Sequence, residues 1–261
     1  MNQVQKAEHF ASLHAPGNPL ILYNIWDAGS AKAVLAAGAK ALATGSWSVA
    51  GAQGFEDGEA IPLDWLVQIT KRIVDTVDAP LSIDFEGGYA AAPADVAGHA
   101  ARLIEVGAVG VNFEDRIVNG SGLYDIARQS ERIGAIRRQA EALGIPFFIN
   151  ARTDLFLEAK DRSHHAALIE DAKARAAAYR DAGASGFFAP GLVDEDLIQE
   201  LGAASELPLN IMIMEGAPSI DRLAALGVAR ISFGPIPFVL AMRRLTEQAK
   251  EIFDQYANPR A

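Results

Sequence analysis

Three apolar runs in this sequence close on polar residues spaced two apart: Leu81-Ser-Ile-Asp-Phe-Glu86, Gly110-Val-Asn-Phe-Glu-Asp115 and Phe147-Phe-Ile-Asn-Ala-Arg-Thr-Asp154. Side chains alternate faces along a strand. The spacing therefore predicts one shared face for Asp84 and Glu86, for Asn112 and Glu114, and for Asn150, Arg152 and Asp154, with Phe85, Phe113 and Ala151 opposite. Packing gives no reason to turn several carboxylates and an arginine the same way. Carboxylates gathered at one point stay ionised only if a cation neutralises them. Arg152 alone is too little for Asp84, Glu86 and Glu114, which Asp57 joins from the segment 51–59. The chain has no Cys, and none of its His residues stands at these strand ends, so the ligands are all oxygen and favour Mg²⁺ or Mn²⁺ over Zn²⁺. Mg²⁺ keeps several waters, which makes Asp84 the expected direct ligand and the other carboxylates holders of water. The planar fork of Arg152 suits a substrate carboxylate. Plainer roles fit other acids: Asp27 as a helix N-cap, Asp115 in a structural salt bridge, Asp154 as a cap or loop holder.

Positioning such a site requires strands that end together. A helical stretch closing in Gly and a small residue, followed by a short apolar run, recurs at 36–45, 105–115, 181–191 and 225–235. Gly at a helix end takes the left-handed turn that terminates it. Further apolar runs lie at 19–26, 79–86, 145–152 and 207–214, giving eight candidate strands. Each is followed by helical periodicity, predicting helices over 30–37, 63–77, 94–106, 126–143, 165–182, 195–201, 220–226 and 238–256. Eight alternating pairs without a linker read as an α/β fold, a single (β/α)₈ TIM barrel over residues 1–261. The alternative, a doubly wound open sheet, lacks a G-x-G-x-x-G turn. Active sites of such barrels lie at the C-terminal strand ends, where strands three, four and five bring the polar pairs together.

A formal charge of −10 and a pI near 5.0 argue against nucleic acid or an anionic membrane as partner. Zero Cys excludes disulfides and a thiolate nucleophile. With no apolar run near the ~20 residues of a membrane span and a polar N-terminal segment, the expected setting is soluble and cytoplasmic. No Lys stands at a strand end, which disfavours Schiff-base chemistry. The five His residues are expected on surfaces or in helix packing. Gly45-Ser-Trp-Ser-Val is not a nucleophile elbow, but its backbone suits an anion.

In these residues the chain resembles the isocitrate lyase/phosphoenolpyruvate mutase superfamily. The matching segments are Trp-Asp-Ala-Gly-Ser-Ala (26–31), Ala-Thr-Gly-Ser-Trp (43–47), Gly-Phe-Glu-Asp-Gly (54–58), Asp-Phe-Glu-Gly-Gly-Tyr (84–89), Val-Asn-Phe-Glu-Asp (111–115) and Asn-Ala-Arg-Thr-Asp (150–154). The resemblance implies a barrel whose eighth helix, here within 238–261, is exchanged between subunits of a homodimer or homotetramer. It implies Mg²⁺ on Asp84, held through water by Asp57, Glu86 and Glu114, and a small 2-oxo or 2-hydroxy carboxylate bound by Arg152 and the backbone at Ser46 and Trp47. Asp57, Glu114 and Arg152 are the candidate catalytic groups, and Asn210 a further candidate substrate contact. The family's chemistry passes through a metal-stabilised enolpyruvate. Its lyases carry a Lys-Lys-Cys-Gly-His type segment after strand four, where this chain reads Arg116-Ile-Val-Asn-Gly-Ser-Gly-Leu-Tyr124. Its phosphonopyruvate enzymes carry a Lys-x-Asn-Ser segment and a His near strand six. Here Asn119 and Ser121 stand without the lysine, and strand six ends in Ala189-Pro-Gly. The departures favour oxaloacetate-decarboxylase-like C–C cleavage over phosphoenolpyruvate/phosphonopyruvate mutase or phosphonopyruvate hydrolase chemistry. A non-catalytic 2-oxo acid binder is the alternative from another class.

Overall fold

The computed structural model describes residues 1–257. Eight short runs form one parallel sheet: β1 (Leu20–Leu22), β2 (Leu42–Ala43), β3 (Leu81–Asp84), β4 (Gly110–Glu114), β5 (Phe148–Arg152), β6 (Gly186–Phe188), β7 (Leu209–Met212) and β8 (Arg230–Ser232). Their order is β1-β8-β7-β6-β5-β4-β3-β2, each strand beside its sequence neighbour. Between β1 and β2 a single parallel bridge, Ile25 with Thr44, takes the place of a ladder. Ile25 N–H donates to Ala43 O at 2.9 Å and Gly45 N–H to Ile25 O at 3.2 Å. The result is a nearly closed TIM-like barrel.

The helices α1 (Gln3–Ser12), α2 (Ala28–Ala36), α3 (Ser46–Ala52), α4 (Leu63–Thr76), α5 (Pro93–Glu105), α6 (Ile126–Ala142), α7 (Leu155–Glu158), α8 (His165–Asp181), α9 (Glu195–Ala204), α10 (Ile220–Ala225) and α11 (Ile236–Ala257) lie between or beside the strands. The predicted eight are all present. α1, α3 and α7 are additions, the last two short helices within the loops after β2 and β5. The Gly-small repeat works as expected: Gly107 has φ +105°, and its N–H and that of Ala108 bond back to Ile104 O and Leu103 O. Gly183 repeats the arrangement with φ +100°. This αL ending satisfies the last helical carbonyls and aims the chain back at the sheet.

Phe85, Phe113 and Ala151 are buried in the layer between strands and helices. α1 closes the N-terminal end of the barrel, its Ala7 and Phe10 packed on Leu20, Leu22, Ala43, Val109 and Phe148. His14 belongs to this plug. Its ring stacks on Phe148 at 4.0 Å, and burial, helped by Arg230, pushes its pKa down to about 3. The last helix, α11, is the exception to packing. Phe238 in its first turn meets Trp26 and Trp47, but Val239, Leu240, Leu245, Ile252 and Phe253 are exposed. No helix among the described residues is long and apolar enough to cross a membrane.

Candidate active site

The register aligns Asp84 with Asn112 and Asn150, and Glu114 with Arg152 and Phe188, on successive strands. These inward residues line or underlie a cavity of about 160 Å³ at the C-terminal mouth of the barrel. Its polar side includes Asn24, Ser46, Asp57, Asp84, Asn112, Arg152 and Ser232; its apolar side includes Trp47, Leu157, Phe188, Pro190, Met212 and Pro235.

Asp84 ends β3. Its N–H is held by Thr44 Oγ1 at 2.9 Å, and its Oδ2 accepts the Ser46 N–H at 2.9 Å, the first free donor of α3. Its Oδ1 is buried without a hydrogen-bond partner among the described residues. Asp57 lies nearby, and its pKa is raised first by burial and then by the charge of Asp84, with the Ser46 side chain opposing.

Glu86 departs from the alternation expected of it. The strand stops at Asp84, and Glu86 has φ +50°, so its side chain turns to the loop before α4. There its Oε2 accepts the Gly58 and Glu59 N–H groups at 2.9 and 2.8 Å. Burial, then the charges of Asp57 and Asp84, push its pKa up to about 8.

Arg152 is already paired. Its Nη1 lies 3.0 Å from Glu114 Oε2, and its Nε and Nη2 donate to Asp154 at 2.6 and 2.9 Å. Burial works against its charge, but Glu114, Asp154 and Asp84 outweigh it and hold its pKa up. Glu114 is raised well above the usual carboxylate range, chiefly by burial, with Arg152 opposing. Asp154 is therefore not a cap: its side chain makes no capping bond to α7, and it orients Arg152 instead. Asp115 forms the expected salt bridge and does more. Its Oδ1 accepts the Asp154 N–H at 3.0 Å, while its Oδ2 accepts from Arg175 Nη1 and Tyr179 OH, each at 2.9 Å. Asp27 caps α2 as expected, accepting from Ser30 N at 2.7 Å.

Asn210 stands apart from the cavity. It is fully buried in β7 with its Oδ1 held by Ser232 Oγ at 3.0 Å. Trp47 is half-exposed at the rim. Among the described residues no three Asp, Glu or His side chains converge closely enough to hold a metal ion between them. The donor set instead offers one free buried carboxylate oxygen, on Asp84, with other carboxylates at greater remove. That fits a Mg²⁺ that retains most of its waters.

Residues not singled out from the sequence also shape the site. Asn24 ties the barrel seam: its Nδ2 donates to Thr44 O and its Oδ1 accepts the Phe233 and Gly234 N–H groups, each at 2.9 Å. Arg230 is fully buried beneath the cavity. An arginine inside an apolar strand run was a visible signal; Asn24 carried none beyond ending such a run.

A match to the phosphoenolpyruvate phosphomutase family model spans residues 10–253. A protein of Burkholderia cenocepacia J2315, provisionally described as a phosphonomutase, superposes with a TM-score of 0.93 at 46% identity, covering 96% of this chain and 99% of that one. An uncharacterized protein of Mycobacterium tuberculosis (strain H37Rv) is 31% identical over 252 residues, 97% of this chain and 92% of its own length. A phosphonopyruvate hydrolase solved with oxalate and Mg²⁺ has the same fold, with a TM-score of 0.85 at 18% identity, covering 99% of this chain and 89% of that one.

Proposed function

The chain belongs to the phosphoenolpyruvate phosphomutase family, and from that premise we propose that it is a Mg²⁺-dependent cytoplasmic lyase. Its substrate would be a small 2-oxo carboxylate, cleaved at C–C through an enolpyruvate as in oxaloacetate decarboxylation. The observation that carries this reading is Asp84 Oδ1, a buried carboxylate oxygen without a donor, in a cavity bounded by Arg152 on one side and an apolar wall on the other. Asp84 would hold the ion directly, with Asp57, Glu86 and Glu114 acting through its waters. When bound, Mg²⁺ supplies Lewis-acid stabilisation of negative charge developing on the substrate's carbonyl oxygen.

The chain's own residues do the rest. Arg152, locked by Asp154, would present a fixed positive charge to the substrate carboxylate, assisted by the Trp47 backbone; the expected part of the Ser46 N–H is already taken by Asp84 Oδ2. A second carboxylate placed against Leu157, Phe188, Pro190 and Met212 is poorly solvated, and it loses its charge as CO₂ leaves. Asp57, which lines the cavity, would be the group that returns a proton to the enolpyruvate carbon.

P–C chemistry is the less favoured reading. Arg152 is the one cation lining the cavity among the described residues, and both of its faces are paired with acids. Arg116 and Asn119 of the loop 116–124 border a separate cavity beside Glu59 and Arg132. A doubly charged phosphonate thus meets no second cationic side chain in the cavity lining.

Exchange of α11 between subunits is part of the proposal. An apolar groove of about 670 Å³ lies over β1 between α1 and α2, lined by Leu13, Ile21, Tyr23, Val34 and Ala37. The 22-residue α11 carries an exposed apolar face of the kind such a groove would cover. Mg²⁺-dependent pyruvate release from oxaloacetate, lost with EDTA and in Asp84→Ala, tests the function. Tight oxalate binding without turnover of any 2-oxo acid would replace the enzyme by a binding protein.

A further inference from the structure

Below the cavity the barrel interior is polar. Arg230, on β8, is fully buried, yet among the described residues no acid forms a salt bridge with it. Among the described residues its guanidinium makes one hydrogen bond, Nη2 donating to Asn112 Oδ1 at 2.9 Å, while Nε and Nη1 are buried without partners. Asn150 Nδ2 donates to the same oxygen at 2.9 Å. An arginine has only donors, so the atom of Asn112 that faces it must be the carbonyl oxygen. The orientation of this amide is fixed by chemistry, where it is ordinarily an assignment.

With both lone pairs of Oδ1 engaged by Arg230 and Asn150, the two N–H bonds of Asn112 Nδ2 are left for the cavity that the residue lines. Nδ2 donates to no protein acceptor among the described residues. Asn112 is the register partner of Asp84, the residue whose Oδ1 has no donor, and both line the cavity.

We propose that Asn112 is a substrate-contacting residue whose Nδ2 donates to an oxygen of the bound 2-oxo carboxylate, and that Arg230 and Asn150 are positioning residues that hold the amide donor-upward. The assignment rests on the function proposed above. It accounts for the buried arginine. A fully desolvated charge is costly, and an apolar residue of similar size is often no worse for stability. Here the guanidinium serves two ends. It forbids the amide flip that would turn an oxygen toward an anionic ligand, and it sets a positive charge under the site where that ligand binds. The donor acts on the substrate oxygens from the floor, opposite the rim where Trp47 stands.

Oxalate, a two-carboxylate probe, tests this by calorimetric titration at saturating Mg²⁺, with melting temperature measured alongside. In Asn112→Asp the new carboxylate pairs with Arg230, so the fold is kept or stabilised while the upward donor is lost. Oxalate binding is expected to weaken by about tenfold or more, the loss of one hydrogen bond to a charged oxygen. Arg230→Lys, which keeps charge and a donor, should retain the affinity within about threefold, and Arg230→Met should lose about tenfold. Purely structural roles would move the melting temperatures and leave the affinities alone. Wild-type binding that Asn112→Asp leaves within twofold overturns the assignment of Asn112. Unchanged affinity in Arg230→Met overturns the positioning role; if that variant fails to fold, a tenfold loss in the folded Arg230→Lys variant overturns it. Absence of oxalate binding by the wild type overturns the proposed function and this assignment together.

Discussion

Glu86 makes the stability of the metal-free protein depend on pH in a direction opposite to that of most carboxylates. Its pKa stands at about 8 in the folded chain against an ordinary 4.5, because burial and the charges of Asp57 and Asp84 disfavour its ionised form. Between these values the folded state holds a proton that the unfolded state has released. The folded state binds more protons, so stability falls as pH rises through the window and levels off above about 8. Each pH unit of that window costs ~1.4 kcal/mol, for an upper bound of about 5 kcal/mol. For a chain of this size ~2 °C of melting temperature per kcal/mol makes that roughly 10 °C. Mg²⁺ near these carboxylates favours their ionised forms, so it should stabilise the protein more at about pH 8.5 than at about pH 5.5 and flatten the decline. The assay is thermal and urea unfolding from about pH 5 to 9, in EDTA and in Mg²⁺, for the wild type and Glu86→Gln. Glu114 and Asp115 are also raised by burial and tilt the curve the same way, so the glutamine variant isolates the share of Glu86. A metal-free curve that is flat from pH 5 to 8, or a decline undiminished in Glu86→Gln, would refute the reasoning.

Asp154→Asn replaces a charged bidentate partner of Arg152 with a neutral one, so oxalate affinity should drop about tenfold, and oxaloacetate KM should rise comparably. Titration of the variant checks this, and unchanged affinity removes Asp154 from the clamp. Arg175→Met leaves Asp115 charged and buried, and should lower stability by ~3 kcal/mol in urea unfolding. Tyr179→Phe removes one neutral donor from the same oxygen, and about 1 kcal/mol is expected. Equal losses in the two variants would contradict the view that the ion pair dominates. Leu245→Glu with Phe253→Glu places charge on the exposed face of α11 and should convert an oligomer to 27.7 kDa monomers in light scattering. A wild type that is itself monomeric would rule out the exchange.

How far the site was legible in the sequence depends on which residues remained in regular strand. Asn112, Glu114, Asn150 and Arg152 obey the alternation because β4 and β5 extend through them. Glu86 does not, because β3 ends two residues earlier and the backbone turns into the left-handed region, whereas Asp154 still meets Arg152 although β5 has ended. The helices were legible for a related reason: their Gly endings are local chemistry, written within a few residues of the turn they make. The pairing of Arg230 with Asn112 is the opposite case. It joins residues 118 apart across the barrel interior, and only closure of the sheet brings them within reach. Sequence spacing could therefore gather the charges at the barrel mouth, but it could not tell which were already paired with one another. Arg152 illustrates the difference. As an isolated fork it is a free carboxylate clamp, but in the folded chain all three of its nitrogens face Glu114 or Asp154. On the proposed function a substrate carboxylate would share Arg152 with acids already bound to it, which would give neutral donors such as the Asn112 amide a larger part in holding the ligand than a count of charges implies.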